Sequence, residues 1–134
     1  MTQKIIDAWM QHPTKTFLDE PCFDSLKRWQ NIPEIKQELP IELTLAAMDG
    51  GKVDIGLLSA WHGPRGPLIP NELVYAFTQK YPDRLYGVAA VDVNQPMKAV
   101  AELRTKNIYS NDRIDRIQSL LAEYRKNNGN SGGD

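Results

Sequence analysis

The chain has 134 residues, 41% of them hydrophobic, with 16 basic and 17 acidic side chains and a net charge of -1. That is enough chain for one domain with a real core, and the lack of basic excess argues against a phosphate-binding surface for nucleic acid. Cys22 is the sole cysteine, which excludes an internal disulfide and thiolate-held zinc.

The opening segment MTQKIIDAWMQHP lacks the apolar run of a signal peptide. No stretch reaches the roughly 18 apolar residues of a membrane span, so the expected setting is cytoplasmic, with no membrane partner. KIIDAWM from Lys4 reads as a short buried strand. Residues 12–40 carry four prolines and no sustained period. They read as a long excursion with a helical turn in FDSLKRW, Asp24 as its cap, of the kind that is functional or serves as a lid.

IELTLAAMDGG predicts a helix with Leu43, Ala46 and Ala47 on one face and a stop at Gly50-Gly51. VDIGLLSA is the second expected strand, and HGPRGPLIP a glycine- and proline-rich loop. Asn71 opens a second helix with Val74, Phe77 and Tyr81 at helical spacing, ended by Pro82. RLYGVAAVDV is the third expected strand, and Asn94 and Pro96 start a third helix with Met97, Val100 and Leu103 facing inward.

This alternation predicts an α/β fold with parallel strands, and functional side chains then belong at the C-terminal strand ends: WMQHP, SAWHGPRGP and VDVNQP. The remainder predicts an amphipathic helix over 107–126, with Ile114, Ile117, Leu121 and Tyr124 on one stripe, and a disordered tail over 127–134.

His12 and His62 are the only imidazoles, and both follow expected strands. Metal-binding strand ends use alternate positions, because side chains two apart point the same way. Asp7, Trp9 and Gln11 share one parity; indole is no ligand, a carboxamide is a weak one, and His12 has the other parity. His12 is therefore either a metal or substrate group or a loop histidine bonded locally before Pro13. His62 and Arg65 sit in a loop whose glycines allow close backbone approach, and the arginine suits a carboxylate, so they are the candidate substrate-binding pair, or else a stiff turn with an exposed charge. Trp61 reads as packing, Asp92 as a turn or helix cap, Asp49 as a helix-end residue and Cys22 as inert. The glycines of GGKVDIG precede a strand, the wrong order for a phosphate loop.

KIIDAWMQHPT, KVDIGLLS and YPDRLYGVAAVD leading into PMKAVAELR resemble, as a linked set over about residues 4–105, the N-terminal part of the amidohydrolase-related (amidohydrolase 2) family. That resemblance implies a metal-dependent barrel hydrolase or decarboxylase similar to aminocarboxymuconate-semialdehyde decarboxylase, with a zinc-like divalent metal. It implies residues 1–106 as the first three β/α units of a TIM barrel, which when complete runs to about 250 residues. The family's His-x-His pair would fall on Trp9 and Gln11, with His12 the nearest imidazole, and the later barrel ligands have no counterpart here. The expectation is therefore a fragment inactive alone and with no metal bound. The alternative is a non-catalytic interaction module, or truncated or fused product, that self-associates or takes another chain to complete the barrel through open sheet edges.

Overall fold

The computed structural model describes residues 3–105, so the expected helix and tail of 107–134 lie outside the described residues. Three strands, β1 (Ile6–Met10), β2 (Ile55–Ser59) and β5 (Leu85–Val88), form one parallel sheet in the order β1-β2-β5. Among the described residues the sheet does not close into a barrel. Helix α3 (Ile41–Gly50) joins β1 to β2, α4 (Asn71–Lys80) precedes β5, and α5 (Pro96–Thr105) follows it. The excursion after β1 folds into two short helices, α1 (Lys15–Leu18) and α2 (Asp24–Trp29), with a 3-10 turn over Pro21–Phe23 between them. Among these residues no helix is long and apolar enough to cross a membrane.

The pleat and two glycines bring sheet and helices together. A Cβ on Gly56 would lie 2.0 Å from Met10 Sδ and 3.3 Å from Met48 Cε of α3. One on Gly87 would lie 3.0 Å from Val74 Cγ1 of α4. Leu58 faces Gly87 across the ladder, so Gly56, Leu58 and Gly87 share the helix-covered face. There the core assembles from Ile41, Leu45, Met48, Leu58, Ala60, Ile69, Val74 and Leu85.

Several sequence expectations are corrected. The segment around His62 and Arg65 is not a loop: β3 (Trp61–Gly63) and β4 (Gly66–Ile69) pair as an antiparallel hairpin around Pro64 and Arg65. Gly66 closes that turn at φ 128°, a conformation that L side chains rarely adopt. Among the described residues β1 is an edge strand rather than a buried one, with Ile6 42% and Trp9 71% exposed.

The inward stripe of α3 is Ile41, Thr44, Leu45 and Met48, while Leu43, Ala46 and Ala47 look outward, because Thr44 is drawn in by a hydrogen bond to His12. In α5 the buried residue is Ala99, and Met97 is 82% exposed. Asp24 does not cap α2 with its side chain; it pairs with Lys27 at 2.8 Å within the first turn. The left-handed residue after α3 is Lys52, at φ 57°, and not either glycine.

The third strand stops at Val88, five residues short of the expected end, and Asn71 supplies the reason. Its Nδ2 donates to Ala90 O at 2.8 Å, and its Oδ1 accepts from Ala90 N at 3.0 Å. A side-chain amide thus occupies both main-chain groups that would otherwise extend a ladder. The same Nδ2 donates to Glu102 of α5 at 2.7 Å, so one residue, 4% exposed, ties α4, the β5 extension and α5 together.

At the opposite end of the sheet Arg84 donates to Asp54 O at 2.8 Å, Val53 O at 3.1 Å and Asp49 Oδ1 at 2.7 Å. Asp54 in turn accepts from Ile5 N at 2.8 Å, which ties β1 into the same network.

Asn71→Ala strips three hydrogen bonds and leaves the Ala90 peptide unpartnered, so stability measured by urea unfolding falls by about 2–3 kcal/mol. Asn71→Asp recovers little of this, since a carboxylate cannot donate to Ala90 O and repels Glu102.

Glu42, on the first turn of α3, accepts from Lys80 and from the Tyr81 hydroxyl at 2.6 Å, joining α3 to the end of α4. Lys80 first and Tyr81 second hold its carboxyl down from 4.5 to about 2. The folded value lies below the unfolded one, so this contact stabilises fully above about 4.5 and is lost as pH falls toward about 2. Carboxyl NMR titration should place the Glu42 midpoint well below 4.5, and Lys80→Met should move it back up.

Candidate functional site

The tip of β1 is shaped by a register shift. Asp7 lies opposite Gly56 and Met10 opposite Leu58, so three steps along β1 match two along β2. This is a β-bulge: one extra residue reverses the parity of everything beyond it. Asp7 Oδ1 accepts from Trp9 N at 3.0 Å, giving the amide within the bulge a partner. Trp9 is thereby turned out to solvent, and the chain beyond delivers His12 to the interior at 1% exposure.

His12 is held at both nitrogens. Nε2 lies 2.9 Å from Leu39 O, and Nδ1 lies 2.8 Å from Thr44 Oγ1. A carbonyl can only accept, so Nε2 carries the hydrogen, and in the neutral ring Nδ1 accepts from the Thr44 hydroxyl. Phe77 of α4 closes the ring edge-on at 5.1 Å between centroids. Thr14, two residues on, donates to Leu68 O of β4 at 2.9 Å and caps α1 through Phe17 N at 3.1 Å. His12 and Thr14 together pin the start of the excursion to α3 and to the hairpin.

The hairpin carries the other candidates. His62 is half-buried on β3, paired across the ladder with Pro67. Arg65, in the turn, is 68% exposed and donates to Glu20 Oε1 at 2.7 Å, Glu20 itself being only 13% exposed. Trp61 packs with Phe17 and Phe23, at ring separations of 5.4 and 6.2 Å, as the packing expectation had it. Arg65 and this aromatic trio therefore fasten the hairpin over the excursion.

Asp92 stands in the turn before α5. It accepts from Gln95 Nε2 at 2.8 Å, Asn94 N at 2.9 Å and Asn94 Nδ2 at 3.1 Å, the turn role read from the sequence. Those bonds, Gln95's first, hold its carboxyl below the usual range, with a smaller contribution from His62 nearby. His12 and His62 thus sit in different surroundings, one under α3 and α4, the other on the hairpin on the Asp92 side.

The residues at the metal positions that the amidohydrolase-related resemblance implies do not fit a catalytic zinc in this arrangement. Trp9 has no donor for a metal, Gln11 offers a neutral amide, and a metal could reach His12 only by displacing Thr44 or Leu39 inside the core. Among the described residues no three His, Cys, Asp or Glu side chains group closely enough to hold a metal ion. The residues that sequence reasoning missed are Thr44, Glu20 and Asn71, whose roles depend on partners far along the chain. Comparison with family models, curated protein sequences and solved structures returns no significant match to this chain.

His12→Leu would leave the Thr44 hydroxyl and the Leu39 carbonyl without their partner. Unfolding free energy in urea should drop by about 2–4 kcal/mol, and His12→Gln, which can bond one of the two, should lose less.

Proposed function

We propose that this chain is an amidohydrolase-related β/α unit, similar to the first three strands of that family's barrel. On this reading it performs no metal-dependent hydrolysis or decarboxylation alone and works by associating with another copy or another chain through the β1 edge. The observation that supports it is what the bulge does to the strand tip. Where the family has a first imidazole ligand, this chain exposes an indole at 71%, and its nearest imidazole is hydrogen-bonded at both nitrogens within the core.

An exposed apolar edge is a pairing surface, and Ile5, Ile6 and Trp9 on or beside β1 are 50%, 42% and 71% exposed. The bulge limits how far a partner strand can follow the ladder, so the contact on this reading is short and side-chain based, with Trp9 at its centre. Arg65, bound to Glu20, holds the hairpin in place, and with His62 it would serve as a substrate-binding pair only in the enzymatic reading.

Two measurements on the full chain test the proposal. After expression with added zinc, elemental analysis should find far less than one metal ion per chain. Sedimentation velocity should show association that grows with concentration and weakens in Trp9→Lys. About one tightly held zinc per chain, lost in His12→Ala, would restore the metal-enzyme reading; a concentration-independent monomer would remove the association reading.

A further inference from the structure

Helix α5 is fastened to the rest of the fold along one side. Ala99 is 8% exposed, and Glu102 accepts from Asn71 Nδ2 at 2.7 Å. At about 100° per residue, Glu102 stands about 180° around the helix from the line through Met97, Val100 and Arg104. Among the described residues that line is left bare. Met97 is 82% and Val100 43% exposed, and Val93, in the turn just before the helix, is 80% exposed. Arg104 is exposed too, with an aliphatic stem that lies readily along apolar surface. Single apolar residues on a surface are ordinary, but spacings that alternate between three and four are those of a helix seam.

The chain carries a second seam of the same kind. After Thr105 the sequence runs through KNIYSND, in which Ser110, Asn111 and Asp112 are turn and N-cap types. RIDRIQSLLAEYRK follows, with Ile114, Ile117, Leu121 and Tyr124 again alternating between three and four. A connection of this length is within the range of about 2–8 residues that joins neighbouring antiparallel helices. Laid back along α5, the two stripes match to within one residue. Ile114 comes opposite Arg104, Ile117 opposite Val100 and Leu121 opposite Met97, while Tyr124 reaches the turn at Val93. Ser119 falls on the far side, toward water.

A helix of about 15 residues is marginal alone in water, so this segment needs a surface for its stripe. The short tether gives it an effective concentration at α5 in the millimolar range, which a second copy of the chain at ordinary concentration does not match.

We infer that the outer side of α5 is the docking surface for residues 113–126 of the same chain, which pack on it as the second arm of an antiparallel helix pair. The contact uses α5 and not β1, so it does not depend on association through the β1 edge.

The test is methyl NMR of the full chain, with labelled methionine and leucine methyls and a soluble gadolinium chelate that broadens exposed signals. In the wild type the Met97 methyl should show a direct contact with Leu121, and its shielding from the chelate should not change on dilution. Leu121→Glu puts a charge on the stripe and should raise the broadening of Met97 several-fold. Ser119→Glu, on the opposite side of the same segment, should leave it as it was. The buried Met48 methyl reports in each variant that the fold is intact. The inference is overturned if Met97 is broadened as strongly in the wild type as in Leu121→Glu, or if Ser119→Glu exposes it equally. Shielding that disappears on dilution also overturns it, and assigns the surface to a second copy. Should Leu121→Glu lose the native Met48 signal, the wild-type contact between Met97 and Leu121 decides alone, its absence overturning the inference.

Discussion

One extra residue in β1 between Asp7 and Met10 governs what the tip of that strand can do. Without it, Asp7, Trp9 and Gln11 would continue along one face, and His12 would fall on the other. With it, Met10 shares the helix-covered face of Gly56 and Leu58, His12 is carried beneath α3, and Trp9 is left in solvent. The carboxylate of Asp7 makes the shift tolerable by accepting the Trp9 amide hydrogen. A residue that a metal-enzyme reading would enlist for chemistry here serves the backbone.

The same economy recurs wherever this small sheet runs out of neighbouring strands. Asn71 bonds both main-chain groups of Ala90, and Arg84 spans two carbonyls and a carboxylate beside the first residues of β2. His12 does likewise for Leu39 in the excursion. In each case a polar side chain from a distant element stands in for a main-chain partner, and the buried members of the set, His12 and Asn71, are satisfied at every polar atom of their side chains. This is how an otherwise irregular excursion is held against the core without a strand or long helix of its own.

Element order and parallel pairing were legible because they follow from periodicity and from the alternation of strands with helices. The faces of α3 and α5 were less so. Leu43 and Met97 are the larger apolar residues, yet Thr44 and Glu102 are the ones turned toward buried partners, His12 and Asn71, that lie 32 and 31 positions away. Periodicity weighs hydrophobicity and is blind to such bonds. The hairpin was hidden by its prolines, since a two-residue turn of Pro64 and Arg65 between three-residue and four-residue strands resembles a loop in composition. The bulge left no local sign beyond Asp7, whose short acceptor two residues before Trp9 could have suggested it. The packing role of Trp61 and the turn role of Asp92 were readable from type and position alone.

The parallel sheet also sets the order in which the chain can fold. Ile6 must find Ile55 and Gly56 must find Leu85, so no strand of the sheet meets its neighbour through a tight turn. Among the described residues only the β3–β4 hairpin is local in sequence. Loop-closure entropy favours β2 with α4 and β5 as the first long-range assembly, because that loop is shorter than the one returning β1 across the excursion. The pairing of β1 closes the longer loop, and with it come Asp54's bond to Ile5 and the buried His12. The strand that carries the exposed tryptophan and the bulge is thus also the one that closes the longer loop of the sheet.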